Sequence, residues 1–187
     1  MVLVIDTSSV MNAVALVDAG APLAERVTKS GRGQEMESVV NAVTAGRRLR
    51  DLDAVAAALG PGSFTGVRVG VAYALGLAMG LAVPFLALGT LEIQRARAMV
   101  PATAVSEAGR GRAFWLAPDS RTGLGEPDEL PRRWPFVGWV KNPRIEVLPE
   151  RNLRTFGAAV AELAERAKRV PYDSVKPVYM AAPGALA

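Results

Sequence analysis

The stretch GPGSFTGVRVG, residues 60–70, joins two apolar runs: one at 53–59, and a second that opens with Val67. Apolar runs on both sides of a glycine-rich loop are typical of a buried strand that turns sharply into a helix. The glycines permit backbone angles that other residues avoid, and Ser63 and Thr65 are suitable helix N-caps. Several backbone N–H groups could therefore converge on an anion, although close packing explains such a loop equally well.

Turn residues and apolar runs around this loop predict a layered α/β domain. In residues 34–49, apolar side chains recur at three- and four-residue steps, which places them on one helix face. Asp-Ala-Gly at 18–20 lies between two strand-like runs and predicts a hairpin turn. The predicted elements are strands at residues 2–5, 12–17, 23–28, 53–59 and 84–88, and helices at 34–49 and 65–81.

The second half of the chain has a different character, because six prolines between residues 118 and 149 interrupt shorter runs. We therefore predict an N-terminal lobe at 1–100 and a smaller C-terminal lobe at 101–187. The elements predicted there are strands at 113–116, 136–140 and 145–148, a helix at 150–169 and a closing strand at 176–180.

Residues 69–91 carry no charge and are long enough to span a membrane. Pro84 falls inside this stretch and Gly89 closes it, while Val83 and Phe85 favour a strand. We therefore predict a helix followed by a strand, with no membrane span.

Composition narrows the possible functions. The chain has no cysteine, and no basic segment precedes the first strand, so the cytoplasm is the expected location. It also has no histidine, which excludes Ser-His-Asp and Cys-His catalysis and would leave a zinc site with carboxylates alone. Its 22 basic residues exceed the 18 acidic ones, and clusters such as Arg95 and Arg97 are interpreted as scattered, solvated arginine.

Residues 60–70 resemble the signature of the bacterial TsaB (YeaZ) family, almost letter for letter. Residues 2–9 and 84–92 are similar to that family's first strand and turn and to a later strand and helix start. The predicted order β-β-β-α-β-α-β-α is the half-domain pattern of the actin/hexokinase/Hsp70 class. The resemblance therefore implies an α/β, actin-like (ribonuclease H-like) fold of two lobes, the second of them truncated.

The resemblance implies a part in forming tRNA threonylcarbamoyladenosine (t6A), the modified adenosine next to the anticodon. TsaB proteins look like inactive, shortened relatives of TsaD, an M22 glycoprotease-like subunit that binds metal through a His-x-x-x-His pair and transfers the carbamoyl group. The implied partners are TsaD, as a heterodimer, and the ATPase TsaE, with a homodimer in isolation and only indirect contact with tRNA. No tightly bound cofactor or metal is expected, and weak ATP or ADP binding at a subunit junction is left open.

In that family the first two helices pack against TsaD, and 34–49 and 65–81 match them here. Small residues four apart on the second helix, from Gly66 to Ala78, form a ridge that another backbone could approach closely. The alternative is that this ridge packs against the protein's own sheet. The expected interface residues are Met36, Val39, Val40, Val43, Gly66, Val69, Gly70, Tyr73, Ala74, Leu77 and Ala78.

A rival interpretation is an ATP-dependent transferase or kinase that uses Asp6 and the Gly60–Gly66 loop. Nucleotide-binding members of this fold class place a carboxylate there, near the metal of Mg–ATP. A turn that stabilises its own backbone explains Asp6 slightly better, because no lysine lies near 60–70. The candidate nucleotide-binding residues are Asp6, Thr7, Ser8, Gly60, Gly62, Ser63 and Thr65.

The second half departs from the family pattern. Glu107 stands where the family has Asp, Gly109 where it has Arg, and Arg112 where it has Glu; at the tail, Ala181 replaces an arginine. Contacts with TsaE or nucleotide that need this half are therefore left open.

Overall fold

The computed structural model describes residues 1–29 and 36–178. The strands are β1 Val2–Asp6, β2 Met11–Asp18, β3 Ala21–Lys29, β4 Ala54–Ala58, β5 Phe85–Leu88, β6 Thr103–Gly109, β7 Arg112–Leu116, β8 Thr122–Gly125, β9 Phe136–Val137 and β10 Lys168–Val170; the helices are α1 Met36–Val43, α2 Phe64–Leu81, α3 Thr90–Arg97 and α4 Phe156–Arg166. A six-stranded sheet has the order β10-β5-β4-β1-β2-β3, and a four-stranded sheet has the order β8-β7-β6-β9. We call the elements around the six-stranded sheet the first lobe and those around the four-stranded sheet the second lobe.

The first lobe has the predicted topology. β1, β2 and β3 form an antiparallel meander, and β1, β4 and β5 run parallel to one another. A meander joined to parallel strands through helical crossovers is the actin-like, ribonuclease H-like arrangement. The predicted order β-β-β-α-β-α-β-α is confirmed from β1 to α3.

Alternation along β1 distributes its side chains between the two faces of this sheet. Leu3 and Ile5 lie in the hydrophobic cluster covered by α1 and α2. Val4 lies in the cluster on the other face, together with residues of α3 and α4. Asp6 lies two residues after Val4 and shares its face of the sheet, so the carboxylate at the end of β1 faces α3.

The helices of the first lobe differ from prediction mainly at their ends. α2 begins one residue early, because the hydroxyl of Ser63 accepts a hydrogen bond from the Gly66 N–H (3.2 Å). α1 ends at Val43 rather than at residue 49, because the chain turns at Gly46, whose φ is 77°. Residues 34 and 35 of the predicted helix lie outside the described residues.

The second lobe contains two strands that the sequence did not predict, β6 and the short, glycine-containing β8. The predicted strand at 136–140 ends at Val137, because Gly138 has a φ of 156° and packs against the carbonyl of Val105. The predicted strand at 145–148 is wrong, since only an isolated bridge joins Val147 to Phe136.

The predicted helix at 150–169 is also corrected. Its first residues form a 3-10 turn, and α4 starts only after Thr155, whose hydroxyl caps it (3.2 Å to the Ala158 N–H). β10 then pairs with β5, and α4 packs on β2 and β3, so both belong to the first lobe and not to the C-terminal lobe. Residues 176–178 form no strand, and the rest of the predicted closing strand lies outside the described residues.

α2 is long and apolar enough to cross a membrane by length and composition. Its residues Val67, Val71 and Ala74 nevertheless belong to the core of the first lobe, and the chain after it enters β5. The charge-free stretch 69–91 is therefore a helix followed by a strand, as predicted.

Candidate functional site

The first candidate site is the turn that follows β1. Asp6 is fully buried, and its Oδ1 accepts hydrogen bonds from the backbone N–H (2.8 Å) and the hydroxyl (2.5 Å) of Ser8. This is the self-stabilising turn that one sequence interpretation favoured. Within the described part of the chain, the second oxygen, Oδ2, has no hydrogen-bond partner.

This turn packs directly on the glycine-rich loop. The Thr7 hydroxyl donates to the Gly66 carbonyl (2.6 Å), and the Ser63 N–H donates to the Ser8 carbonyl (2.7 Å). A Cβ at Gly62 would collide with the Ser8 carbonyl oxygen, and one at Gly66 would collide with that of Thr7. The two turns are therefore in close backbone contact, which leaves no space between them for a phosphate.

The remaining candidate nucleotide-binding residues are divided between core and surface. Gly60, with a φ of 104°, is buried, and its neighbour Leu59 accepts a hydrogen bond from the Val178 N–H (2.7 Å). Ser63 and Thr65 are exposed at the start of α2. The structure thus does not bring the seven predicted residues together around one cavity.

A cleft of about 540 Å³ does open at the start of α2, between the two lobes. Ser63, Phe64 and Thr65 line one side, and Glu107 and Phe114 line the other. Glu107 is the one charged residue among those that line the cleft, and its negative charge opposes a phosphate.

The electrostatics of Asp6 are those of a buried group. Burial raises the pKa of its carboxyl above the ordinary value, while the hydrogen bonds from Ser8 and the charge of Arg97 act in the opposite direction. Burial likewise lowers the pKa of Arg97, against the charge of Glu150. Among residues 1–29 and 36–178, no group of three or more Asp, Glu, His or Cys side chains is arranged to hold a metal ion.

The second candidate site is the predicted interface, and here the small-residue ridge must be corrected. Ala74 and Ala78 are fully buried, and a Cβ at Gly70 would collide with Thr7 Oγ1. Together with Gly66 they bring α2 close to the end of β1 and to β4, because small side chains permit a short distance between helix and sheet. The ridge therefore packs inside the protein's own lobe.

Other predicted interface residues are also buried in the protein's own core. Val39, Val40 and Val43 of α1 are buried in the same cluster, because the apolar stripe of an amphipathic helix faces its own core. Their side chains are consequently not available to a partner in this structure. Of the predicted residues, Val69 is exposed, and Met36, Gly66, Tyr73 and Leu77 are partly exposed.

The opposite side of α2 is uncovered. Val69 and Met79 are 50% and 55% exposed, and between them lies a second row of small residues, Ala72, Gly76 and Gly80. A Cβ at Gly76 or Gly80 would meet nothing within 4 Å. We call these five residues the outer face of α2. The sequence contains both rows at the same four-residue spacing, and the inner one is the row that packs against Thr7 and into the core of the first lobe.

Comparisons of sequence match part of this chain to known proteins. A family model described as TsaD, tRNA N6-adenosine threonylcarbamoyltransferase, matches residues 36–125. The tRNA threonylcarbamoyladenosine biosynthesis protein TsaB of Escherichia coli (strain K12) is 38% identical over 77 residues, and that of Bacillus subtilis (strain 168) is 36% identical over 95. These matches cover 38% and 49% of this chain but only 33% and 42% of the relatives' own length.

Solved structures extend the likeness to both lobes. YeaZ from Pseudomonas aeruginosa superposes with a TM-score of 0.75 at 25% identity, covering 96% of this chain and 99% of that one. A second structure, of an uncharacterized protein with similarity to peptidase YEAZ from Pseudomonas aeruginosa, has a TM-score of 0.73 at 23% identity and covers 95% and 98%.

Proposed function

The chain belongs to the TsaB/YeaZ family, and on that basis we propose that it is a non-catalytic subunit of the t6A machinery, which binds a TsaD-type transferase and makes it competent. The observation that carries this proposal is the uncovered outer face of α2. In this proposal, the protein contributes a binding surface, and the partner contributes the reacting groups.

The chemistry of the outer face supports an interface. Val69 and Met79 expose apolar side chains, and contiguous apolar surface on a protein commonly marks an interaction site. The row Ala72, Gly76 and Gly80 between them lets the backbone of a partner helix come close. A helix seated on this row would contact both flanking side chains and remove them from water.

The family comparison supports a TsaD-type partner. The matching TsaD model covers 36–125, a region that includes α1 and α2. A TsaD-type partner would therefore carry a similar pair of helices, and two similar faces can pair about a pseudo-twofold axis. The same reasoning gives a homodimer when that partner is absent.

Support for a non-catalytic role comes from the first candidate site. Asp6 is enclosed by Ser8 and by the loop, and the sequence has neither histidine nor cysteine to supplement it. The rival function, an ATP-dependent transferase or kinase, needs Asp6 and residues 60–66 to hold a nucleotide, yet these two turns pack against each other. In our proposal, ATP or ADP binds weakly, at a subunit junction, and no cofactor is bound tightly.

The remaining parts of the proposal follow the family. TsaE joins the assembly, tRNA is contacted through TsaD, and the complex works in the cytoplasm. The direct test is co-purification of the chain with TsaD from the same organism, followed by assay of t6A formation. Failure of the two proteins to associate would refute the proposal.

A further inference from the structure

Arg97, the last residue of α3, is only 2% exposed and lies where the two lobes meet. α3 is buried on both sides: Ile93 packs into the first-lobe cluster, and Leu91 packs into a cluster of second-lobe residues. Gln94 and Arg97 occupy the stripe between those two residues. A charged side chain is therefore buried at the junction itself.

The guanidinium of Arg97 has a specific set of partners. Nη1 donates to Gln94 Oε1 (3.0 Å), and Nη2 donates to Glu150 Oε2. The guanidinium carbon lies 4.4 Å from the centre of the Trp139 ring, which is cation–π geometry. Trp139 Nε1 in turn donates to Glu150 Oε1 (3.0 Å), so each carboxylate oxygen receives one of these bonds.

These contacts connect different parts of the chain. Trp139 follows β9 of the second lobe, yet its ring belongs to the first-lobe cluster, 6.0 Å from the ring of Phe156. Just beyond Glu150, the Arg154 N–H donates to the Arg97 carbonyl (2.8 Å), and the Arg154 guanidinium donates to the carbonyl of Ala96. The end of α3 is thus attached to the segment that returns from the second lobe.

The charges explain why this arrangement resists opening. A buried guanidinium is costly unless it is paired, and arginine does not lose its proton in proteins. The acidic groups that act on Arg97 are Glu150, Glu25 and Asp6. A rotation of the lobes that separated Arg97 from Glu150 would leave a buried charge without its hydrogen-bonded counter-ion.

We propose that Arg97, Trp139 and Glu150 form a latch that holds the two lobes in one fixed orientation. The lobes then move as one body. When a partner binds to the outer face of α2, the position of the second lobe relative to that partner is therefore fixed. This last consequence, but not the rigidity, rests on the proposed function.

The experiment compares hydrogen exchange of the full chain with that of Glu150→Ala. The Glu150 side chain is 65% exposed, so its removal opens the latch with little loss of packing. Glu129→Ala is the matched control, because that carboxylate bonds only within the second lobe, to the Glu126 N–H. Trp139→Phe provides a second opening variant that keeps an aromatic ring but loses the donor.

We expect the Arg154 amide hydrogen to exchange about tenfold faster in both opening variants than in the control. The exchange rates of the amides in β1 and β2 should be the same in all of these proteins. Unchanged exchange at Arg154 in both variants would overturn the latch. In the assembled complex, we expect Glu150→Ala to retain TsaD and to lower the rate of t6A formation. Failure of the unaltered chain to bind TsaD would refute the proposed function alone, because the exchange result does not depend on TsaD.

Discussion

The side chain of Thr7 occupies the place where a Cβ of Gly70 would be. Thr7 Oγ1 donates to the Gly66 carbonyl, one helical turn before Gly70, and a Cβ at Gly70 would collide with that same oxygen atom. This contact, together with the burial of Val67 and Val71 in the first-lobe core, sets the rotation of α2 about its own axis. That rotation decides which row of small residues is buried and which is left for a partner.

Gly70→Ala is expected to destabilise the protein by about 1–3 kcal/mol, because the added methyl group displaces the Thr7 hydroxyl from its hydrogen bond. Gly76→Ala is the matched control on the same helix, where the new Cβ meets open space. It is expected to stabilise the fold by about 0.5–1 kcal/mol through helix propensity. Urea unfolding of both variants tests this, and equal effects would show that α2 is not rotated as described.

Ser63→Ala is expected to cost about 1 kcal/mol, because it removes the acceptor for the Gly66 N–H at the start of α2. Thr65→Ala serves as the control, since Thr65 lies inside the helix and is not its cap. Thermal unfolding measures the difference between the two. A larger loss for Thr65→Ala would mean that the helix starts elsewhere.

Asp6→Asn is expected to change how stability depends on pH. The folded-state pKa of Asp6 is raised above its ordinary value of 3.8, so the folded protein binds this proton more tightly than the unfolded chain. The tighter binding of this proton contributes fully to the free energy of unfolding below about pH 3.8, and the contribution is lost as pH rises through the folded-state pKa. The stability of the unaltered protein relative to Asp6→Asn should therefore fall as pH increases over that range.

Asparagine keeps an Oδ1 that can accept both hydrogen bonds from Ser8, so the comparison isolates the charge. Chemical denaturation at a series of pH values gives the difference directly. A difference that rises with pH would show that the carboxylate is stabilised in its charged form.

The isolated chain is expected to give no saturable heat with Mg–ATP in calorimetry, because the turns at Asp6 and at 60–66 are packed together. Tight binding that disappears in Asp6→Ala would instead favour the ATP-dependent enzyme. An unchanged weak signal in that variant would locate nucleotide away from this turn.

The first lobe could be predicted from sequence because its signals are local. Continuous apolar runs, the Asp-Ala-Gly hairpin and the glycine loop each specify one element, and their order specifies the fold. The second lobe was predicted less well, because its strands are short and Gly123, Gly125 and Gly138 interrupt the usual alternation.

The candidate sites depended on tertiary contacts that spacing does not reveal. Both small-residue rows of α2 have a four-residue period, and Thr7 is 59 residues away from the Gly66 carbonyl that orients them. Arg97 looked like one of several solvated arginines. The sequence does contain a signal for its burial. Leu91 and Ile93 lie on either side of the helix stripe that contains Arg97, and this pattern predicts a helix buried on two sides.

The outer face of α2 is tested most directly by size-exclusion chromatography with light scattering on the chain mixed with TsaD from the same organism. The unaltered chain should form a heterodimer. Gly76→Arg should not, although its melting temperature should not fall, because the arginine projects from a site with open space around it. Val100→Arg, on an exposed loop after α3, should bind normally. A chain that never binds TsaD, or a Gly76→Arg variant that binds it as well as the unaltered chain, would contradict this assignment.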